Sequence, residues 1–413
     1  KPDLVTADGA LSMSVLISGA LRNCRRDDLP SGVGASGIAA ADFNGDGVLD
    51  VASANEDFTL SVMFADGLGG YLPRVNYPLG TLSQNLATGD FDNDSRPDLV
   101  APNFYESTIS IYMNAGNGSF LPAENLATGS QPRFVEVADV NGDGRPDLVT
   151  ANYGNSYSPG SVSVFFNRGS NHFSQPDEYP VGVGPYEVRA GNLDGDDNVA
   201  LVVNNYDGTS VSVLINRGNG KFKPEVRYGA GWNLSSAIAD FDHDGDNDFA
   251  VANFKENTVM VFKNDGAGAF AWFATIPVGR QPRSLQAAII KGDGDMDLAV
   301  AQSALNNVTL LENNGTGLFT PRPTGCGVGV NPKNLIMADF DGNGGQDLAT
   351  ANTGAGTLTI LREVGPPGSA TSKAAGLNRP RKLDATVVTH GFALAASRPN
   401  PARGEAAIPF ELS

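Results

Sequence analysis

Short apolar runs alternate with polar turns along most of the chain, and their order repeats about every 49 residues. Each repeat begins with a strand that leads into an acidic segment, and a second strand follows directly. The third strand alternates strictly between polar and apolar residues, as in Ser161–Phe165 and Ser210–Leu214. Such alternation is typical of a half-buried strand. A turn rich in Asn and Gly and a fourth strand complete a predicted four-stranded antiparallel sheet.

Four short strands at this spacing are typical of one blade of a β-propeller. Because a single blade cannot bury both of its faces, the blades are expected to stack around an axis. The sequence contains seven first strands but eight second and third strands. We predict an all-β, seven-bladed propeller in which the N-terminal segment supplies a missing outer strand. An eight-bladed ring with two incomplete blades is the alternative.

Five repeats carry a nine-residue acidic segment with side-chain oxygens at positions 1, 3, 5 and 9. Calcium takes six to eight oxygen ligands, and Gly at position 6 permits the sharp turn that such a loop needs. Metal-free turns are the alternative, because Asp, Asn and Gly dominate turns generally. Five copies in register favour calcium. The predicted ligands are Asp42, Asn44, Asp46, Asp50; Asp90, Asp92, Asp94, Asp98; Asp139, Asn141, Asp143, Asp147; Asp240, Asp242, Asp244, Asp248; and Asp339, Asp341, Asn343, Asp347.

Two further copies of the acidic segment have lost predicted ligands. The copy that begins at Asn192 has Ala200 in place of the closing Asp and Asp197 in place of the Gly. We expect it to bind calcium weakly or not at all. In the other copy, Ile289 and Lys291 occupy the first two ligand positions. A lysine cannot donate an oxygen, so that segment is expected to be a plain turn.

Charge and composition exclude several functions. The net charge is −18, and five bound Ca²⁺ ions would reduce it to about −8. The sequence has no basic stripe to neutralise phosphates, which disfavours nucleic-acid binding. It also has no run of 18 apolar residues, so no membrane insertion is expected. Cys24 and Cys326 are the only cysteines; they pair if ring closure brings them together, and otherwise they are two free thiols.

The pattern Asp-Phe-Asn/Asp-x-Asp/Asn-Gly-x-x-Asp-Leu-Val/Ala resembles the FG-GAP/VCBS-repeat family of β-propellers. It is similar to the calcium loops of integrin α chains. The resemblance covers residues 1–362. It implies that each intact loop joins the first and second strands of a blade and binds one structural Ca²⁺ on the lower face. About five such ions are therefore expected.

The termini suggest a longer precursor. Lys1-Pro-Asp3-Leu-Val matches Arg145-Pro-Asp147-Leu-Val, so the chain is expected to start inside a repeat. Residues 363–383, rich in Pro, Gly, Ala and Ser, are interpreted as a linker. Residues 384–413 resemble the start of an Ig-like C-terminal domain, including type IX sorting domains. That resemblance implies a secreted, extracellular or cell-surface bacterial protein, anchored through the rest of that domain.

The upper face is the predicted ligand surface, because the acidic loops occupy the lower one. Aromatic and basic side chains in the upper turns are suited to stacking on sugars or holding a peptide. The candidate residues are Phe104, Tyr105, Tyr153, Tyr206, Phe254, Arg133 and Arg283, with Lys333 nearby. The alternative is that each ring packs its own turn.

Binding or adhesion, to an extracellular glycan or protein, is therefore the predicted function. No nucleophile elbow, P-loop or zinc-binding helix motif is present in the sequence. The three histidines, His172, His243 and His390, have no recognisable catalytic partner. An extracellular polysaccharide lyase or hydrolase is one alternative function. A structural spacer in a larger surface protein is the other.

Overall fold

A computed structural model describes residues 4–8, 12–16, 24–154, 158–290, 292–323 and 325–363. Within these ranges the protein is all-β, with seven antiparallel sheets in a propeller arrangement. This confirms the predicted fold and the count of seven blades. Within the same ranges no helix has the length and apolarity needed to cross a bilayer. The predicted linker and Ig-like segment lie outside the described residues.

In each blade three strands run in chain order from the axis outward and a fourth lies at the outer edge; blade 6 has an additional short strand, and the outer strand of blade 7 comes from the start of the chain. Blade 1 contains β4 (Ala35–Ala41), β5 (Asp50–Asn55), β6 (Thr59–Met63) and β7 (Val75–Pro78); blade 2 contains β8 (Ala87–Gly89), β9 (Asp98–Asn103), β10 (Thr108–Tyr112) and β11 (Glu124–Ala127). Blade 3 contains β12 (Pro132–Ala138), β13 (Asp147–Asn152), β14 (Pro159–Phe165) and β15 (Asp177–Val183); blade 4 contains β16 (Pro185–Asn192), β17 (Val199–Asn205), β18 (Ser210–Leu214) and β19 (Val226–Gly229).

The remaining three blades follow the same order. Blade 5 contains β20 (Asn233–Ala239), β21 (Asp248–Asn253), β22 (Thr258–Asn264) and β23 (Phe270–Pro277). Blade 6 contains β24 (Pro282–Ala288), β25 (Asp297–Gln302), β26 (Asn307–Asn313), β27 (Phe319–Pro321) and the short β28 (Cys326–Gly327). Blade 7 contains β29 (Pro332–Ala338), β30 (Asp347–Asn352), β31 (Thr357–Glu363) and β3 (Cys24–Pro30). A separate hairpin, β1 (Leu4–Asp8) with β2 (Ser12–Leu16), precedes the ring.

The N-terminal segment closes the ring. Strand β3 pairs antiparallel with β31, from Cys24 opposite Glu363 to Pro30 opposite Thr357. This confirms the prediction that the last blade takes its outer strand from the start of the chain. Cys326, in the neighbouring blade 6, is disulfide-bonded. Cys24 is the only other cysteine in the sequence.

The core lies between successive blades. The second strands β5, β13 and β25 are buried at every residue, because both faces of these strands pack against neighbouring blades. Between blades 3 and 4, for example, Val162 and Val164 belong to one apolar cluster with Leu201 and Val203. Stacking the seven blades in a ring thus buries the faces that a single blade would expose.

The antiparallel order sorts the connections to two ends of the propeller. Connections between strands 1 and 2 and between strands 3 and 4 lie at one end, the lower face. Connections between strands 2 and 3, and from strand 4 to the next blade, lie at the upper face. The acidic loops therefore lie at the end opposite to the predicted ligand surface.

Candidate functional site

The first Asp of each intact acidic loop organises the loop backbone. Asp42 accepts the N–H of Gly45 and the N–H of Gly47, each at 2.7 Å, on its two carboxylate oxygens. Asp139 does the same with Gly142 at 2.8 Å and Gly144 at 2.7 Å. Gly47 has a φ of 86°, which a side chain would strain. Residues within the loop therefore fold its backbone around the carboxylate of its first Asp.

The carboxylates of these loops converge as a calcium site requires. In three loops the carboxylate oxygens of three Asp residues lie within 4.8 Å of one another. The three sets are Asp90, Asp92, Asp94; Asp240, Asp242, Asp248; and Asp339, Asp341, Asp347. In the loops that start at Asp42 and Asp139, an Asn provides the oxygen at position 3. All-oxygen sets of this kind suit a hard cation such as Ca²⁺, so the residues of these three sets could hold the ion.

The closing Asp has a second role that the sequence did not reveal. Asp147 is 0% exposed and accepts two backbone N–H groups, from Val140 at 3.1 Å and from Asn167 at 2.8 Å. It thereby ties its loop to the end of the third strand. Asp297, whose loop lacks the first two ligands, makes the equivalent bonds to Ile290 at 3.3 Å and Asn313 at 2.8 Å. The tie therefore does not depend on an intact set of metal ligands.

Burial makes these closing carboxylates hard to ionise. It raises the pKa of Asp50, Asp98, Asp147 and Asp248 to about 7, and the acidic neighbours in each loop act in the same direction. The two backbone N–H bonds to each of them oppose the shift. A cation in the loop would favour the charged form of each carboxylate.

Basic side chains already contact some loops. Arg145 pairs with Asp143 at 2.5 Å, and Arg96 pairs with Asp94. Lys263 places its ammonium 2.6 Å from the carboxylate of Asp242. A metal ion in the loop of blade 5 would therefore share the carboxylate of Asp242 with the ammonium of Lys263.

An asparagine at the end of the third strand clasps neighbouring blades together. The Nδ2 of Asn216 donates to the carbonyl of Val140 in blade 3 at 2.7 Å and to that of Val199 at 2.8 Å. Its Oδ1 accepts the N–H of Gly218 at 3.0 Å. The same inter-blade bond, to the second residue of the preceding acidic loop, is made by Asn114, Asn167, Asn264 and Asn313. Blade 1 has Ala65 at this position. The backbone N–H of Ala65 still donates to Asp50, but alanine has no side-chain amide to bond the neighbouring blade.

Replacing one of these asparagines should destabilise the protein without changing a predicted metal ligand. Asn216→Ala leaves two carbonyls without their donor, and we expect a loss of about 2–4 kcal/mol in the free energy of unfolding. Asn219→Ala is the matched control, because Asn219 lies in the same turn but is exposed and accepts only the N–H of Lys221 at 3.2 Å. Chemical denaturation measures both. Equal effects of the two substitutions would contradict the clasp.

At the upper face, bulges turn side chains of the innermost strands toward the axis. In six blades the pairing of strands 1 and 2 skips one residue near the start of strand 1. The bulge residues are Ser36, Arg133, Tyr186, Leu234, Arg283 and Lys333. Five of these six, all except Ser36, line one depression at the axis together with Gln84 of blade 2. Bulges re-aim side chains in this way, and here they form one central opening.

Arg133 is the centre of an aromatic stack on one side of the opening. Its guanidinium lies 4.5 Å from the ring centroid of Phe104, 4.4 Å from that of Tyr153 and 4.9 Å from that of Tyr186. It donates to the side-chain oxygen of Gln84 at 2.7 Å, which also accepts the hydroxyl of Tyr186 at 3.0 Å. These contacts hold the guanidinium plane in place.

A second basic and aromatic group lies on the other side. The guanidinium of Arg283 lies 5.0 Å from the ring of Phe254. The ammonium of Lys255 lies 4.1 Å from the ring of Trp232 and 5.8 Å from that of Tyr206. Lys333 also lines the opening, where it pairs with Glu56 at 2.6 Å.

The structure brings most of the predicted upper-face residues together. Phe104 is 7% exposed and packs beneath Arg133, whereas Tyr105 beside it is 68% exposed. Sequence reasoning missed Tyr186, Gln84, Trp232 and Lys255. A signal for Tyr186 was present: Gly182-x-x-Pro185 precedes it, just as Gly-x-x-Pro precedes Arg133, Arg283 and Lys333.

A buried polar network lies deeper along the axis. Arg189 pairs with Glu187 at 2.7 Å and with Glu136 at 3.5 Å, and all three are at most 5% exposed. Glu187 also accepts the hydroxyl of Ser235 at 3.0 Å and the amide of Asn204 at 2.9 Å. Burial raises the pKa of Glu136 to about 8, and the nearby Arg189 only partly opposes this. The network joins the innermost strands of blades 3, 4 and 5 beneath the opening.

The repeat profile described as "FG-GAP-like repeat" matches the chain in six overlapping segments that together span about three quarters of it. The matched segments are residues 42–101, 90–150, 139–203, 192–251, 240–300 and 290–350. The chain belongs to the FG-GAP-like repeat family. Its repeats include both the five intact acidic loops and the two with lost ligands. No curated protein matches the chain significantly.

Solved structures share the propeller fold with this FG-GAP-like chain at low identity. BBS1N in complex with ARL6DN is 16% identical, with a TM-score of 0.55 over 82% of this chain and 98% of that one. Virginiamycin B lyase from Staphylococcus aureus is 14% identical, with a TM-score of 0.57 over 82% and 99%. A lectin from Agrocybe aegerita that recognises non-reducing terminal N-acetylglucosamine is 18% identical, with a TM-score of 0.51 over 87% and 92%. At these identities the similarity establishes the fold alone.

Proposed function

We propose that this FG-GAP-like propeller is an extracellular, calcium-stabilised binding module whose glycan or protein ligand docks at the upper opening. The observation that carries the proposal is the convergence of bulge residues from five blades, with Gln84, on one depression. Ligand sites are concave and combine aromatic surface with a few well-placed polar groups. Arg133, Tyr186 and Arg283 provide both there.

Calcium has a structural role in this proposal. The acidic loops and the opening lie at opposite ends of the blades, so an ion in a loop is not a ligand contact. About five ions, one in each intact loop, would neutralise carboxylates that otherwise repel one another at the lower face. The disulfide at Cys326 supports an extracellular location, because disulfides persist in oxidising compartments.

Two of the solved propellers support a binding role. BBS1N forms a complex with a protein, ARL6DN, and the Agrocybe aegerita lectin recognises a terminal sugar. Proteins with this fold therefore bind both classes of ligand that the sequence predicted. The side chains at the upper opening of this chain are the reason for proposing that surface as the binding site.

A glycan array with and without an upper-face substitution tests the proposal. We expect the calcium-loaded protein to bind a subset of glycans, and Tyr186→Ala to abolish that binding with little change in melting temperature. Trp272→Ala on the outer strand β23 is the control, because Trp272 is an aromatic residue that is 60% exposed and lies away from the opening. Binding that survives Tyr186→Ala and Arg133→Ala would contradict an upper-face site. Release of reducing sugar from the bound glycan would instead favour the enzyme alternative.

A further inference from the structure

We propose that the opening recognises the carboxylate of an acidic glycan, one that carries uronate sugars, and that Arg133 and Arg283 form the anion clasp. This inference rests on the proposed binding function and specifies its ligand class. Its basis is a pair of arginines with unused donors at the rim of one depression.

Both guanidiniums have hydrogen-bond donors to spare. Arg133 donates through Nη1 to Gln84, whereas its Nε is buried without a partner. The Nε of Arg283 is likewise buried without a partner. Within the described ranges neither guanidinium pairs with a carboxylate, and each is held against aromatic rings instead. The buried Nε atoms are out of reach of a ligand, so a carboxylate would be bound by Nη2 of Arg133 and by the two Nη groups of Arg283, which have no hydrogen-bond partner among the described residues.

The charge around the opening makes this pairing selective for an anion. The chain has 46 acidic and 28 basic side chains, yet neither arginine at the opening is paired with a carboxylate among the described residues. The nearby carboxylates already have partners: Glu56 pairs with Lys333 at 2.6 Å, and Asp207 accepts the hydroxyl of Tyr153 at 2.5 Å. Lys255, on the same side as Arg283, adds a further positive charge beside Trp232. Glu187, which also lines the depression, pairs with Arg189 at 2.7 Å, so Arg133 and Arg283 are the lining cations that have no carboxylate partner among the described residues.

Aromatic and amide groups around the clasp favour a sugar chain over an acidic peptide. Tyr186, Tyr206 and Trp232 are each partly exposed and provide flat apolar faces beside the cations. The depression also contains the amides of Gln84 and Asn334, which can hydrogen-bond hydroxyl groups. Arginine clusters also bind acidic peptides, so the choice of a glycan rests on the aromatic faces and on the amides that suit hydroxyl groups. Here the walls are side chains projecting from bulges.

Isothermal titration with matched oligomers tests the inference. The probes are hexagalacturonate, its methyl ester and hexaglutamate, added to calcium-loaded protein that has been freed of excess calcium. We expect hexagalacturonate to bind, and the methyl ester to bind at least about tenfold more weakly because esterification removes the charge. Raising the salt concentration should weaken binding of the acid more than that of the ester.

Substitutions locate the binding. Arg133→Gln and Arg283→Gln should each weaken hexagalacturonate binding by at least about tenfold, and Arg283→Lys should weaken it less. Arg168→Gln is the matched control, since Arg168 is an exposed arginine 5.7 Å from the ring of Phe166, away from the opening. Melting curves establish that each variant is folded. Where one arginine variant does not fold, the other variant and the ester comparison decide.

The outcomes separate this inference from the proposed function. Equal binding of acid and ester, lost on substitution of either arginine, overturns the anion clasp but leaves the upper-face site. Tighter binding of hexaglutamate than of hexagalacturonate overturns the choice of a glycan. Hexagalacturonate binding that both arginine variants retain overturns the clasp and moves the site elsewhere. Failure of hexagalacturonate to bind overturns the inference, whereas the glycan array tests the proposed function independently.

Discussion

Removing calcium with EDTA is expected to lower the melting temperature of this protein by about 15 °C or more. An ion held at a hundred times its dissociation constant stabilises the folded state by about 2.7 kcal/mol, and about five such sites add to a large fraction of any domain's stability. The physical source is the lower face, where three to five acidic side chains crowd each intact loop. Without a cation these charges repel one another at short range.

The measurement is a thermal melt of one sample in calcium, in EDTA, and in EDTA after calcium is restored. Full recovery in the third sample distinguishes loss of the ion from irreversible damage. Magnesium at the same concentration is the control, because its smaller, rigid octahedral shell fits a loop of this kind less well. Identical melts in calcium and EDTA would contradict structural calcium.

The loss of stability that EDTA causes should depend on pH. Asp50, Asp98, Asp147 and Asp248 have a folded-state pKa of about 7 in the metal-free protein, against an ordinary value of 3.8. A raised pKa means that their contribution to stability is present below about pH 4 and is lost as pH rises to about 7. The metal-free protein is therefore expected to become less stable between pH 5 and pH 8. The calcium-loaded protein should change less, because the ion favours the charged carboxylates.

Substitution of a closing Asp is expected to have the largest effect of any single substitution in the acidic loops. Asp297→Ala removes a buried carboxylate and leaves the N–H groups of Ile290 and Asn313 without an acceptor. We expect a loss of about 3–5 kcal/mol in the free energy of unfolding. Because this loop has lost its first two ligands, the loss should be the same in calcium and in EDTA.

Asp147→Ala is the matched variant, since Asp147 makes the same two bonds in an intact loop. In EDTA it should cost about as much as Asp297→Ala. In calcium it should cost more, by the binding energy of one lost ion. Chemical denaturation of both variants in both conditions separates the strand tie from the metal contribution. An effect of Asp147→Ala that is identical in calcium and EDTA would show that the closing Asp acts only as a tie.

The sequence predicted the fold closely because each blade repeats the same local pattern. Alternation marked the third strands, and the surplus of second strands predicted that the ring closes with a strand from the N-terminal segment, as β3 does. The acidic loops were found for the same reason, since spacing and residue type within nine positions are local properties. The predicted calcium ligands themselves stay a prediction.

Features that depend on contacts between blades were not predictable from the sequence. Asn216 lies in a turn rich in Asn and Gly, as such turns are in the other repeats. The hydrogen bond from its side chain to the carbonyl of Val140 joins residues 76 positions apart. The buried tie made by Asp147 depends on the position where the third strand ends, which the nine-residue spacing does not specify. The central opening depends on bulges, and only pairing in three dimensions shows which residue each strand skips. Tyr186 was missed although Gly182-x-x-Pro185 precedes it, because that motif does not by itself show that the next residue faces the opening.

The most direct test of calcium binding is the metal content of the protein after dialysis against a low concentration of calcium. Elemental analysis should give about five calcium ions per chain, one for each intact loop. Asp46→Ala, in the exposed part of the first loop, should reduce the content by about one ion without unfolding the protein. Less than one ion per chain in the unsubstituted protein would contradict the assignment of these loops as calcium sites.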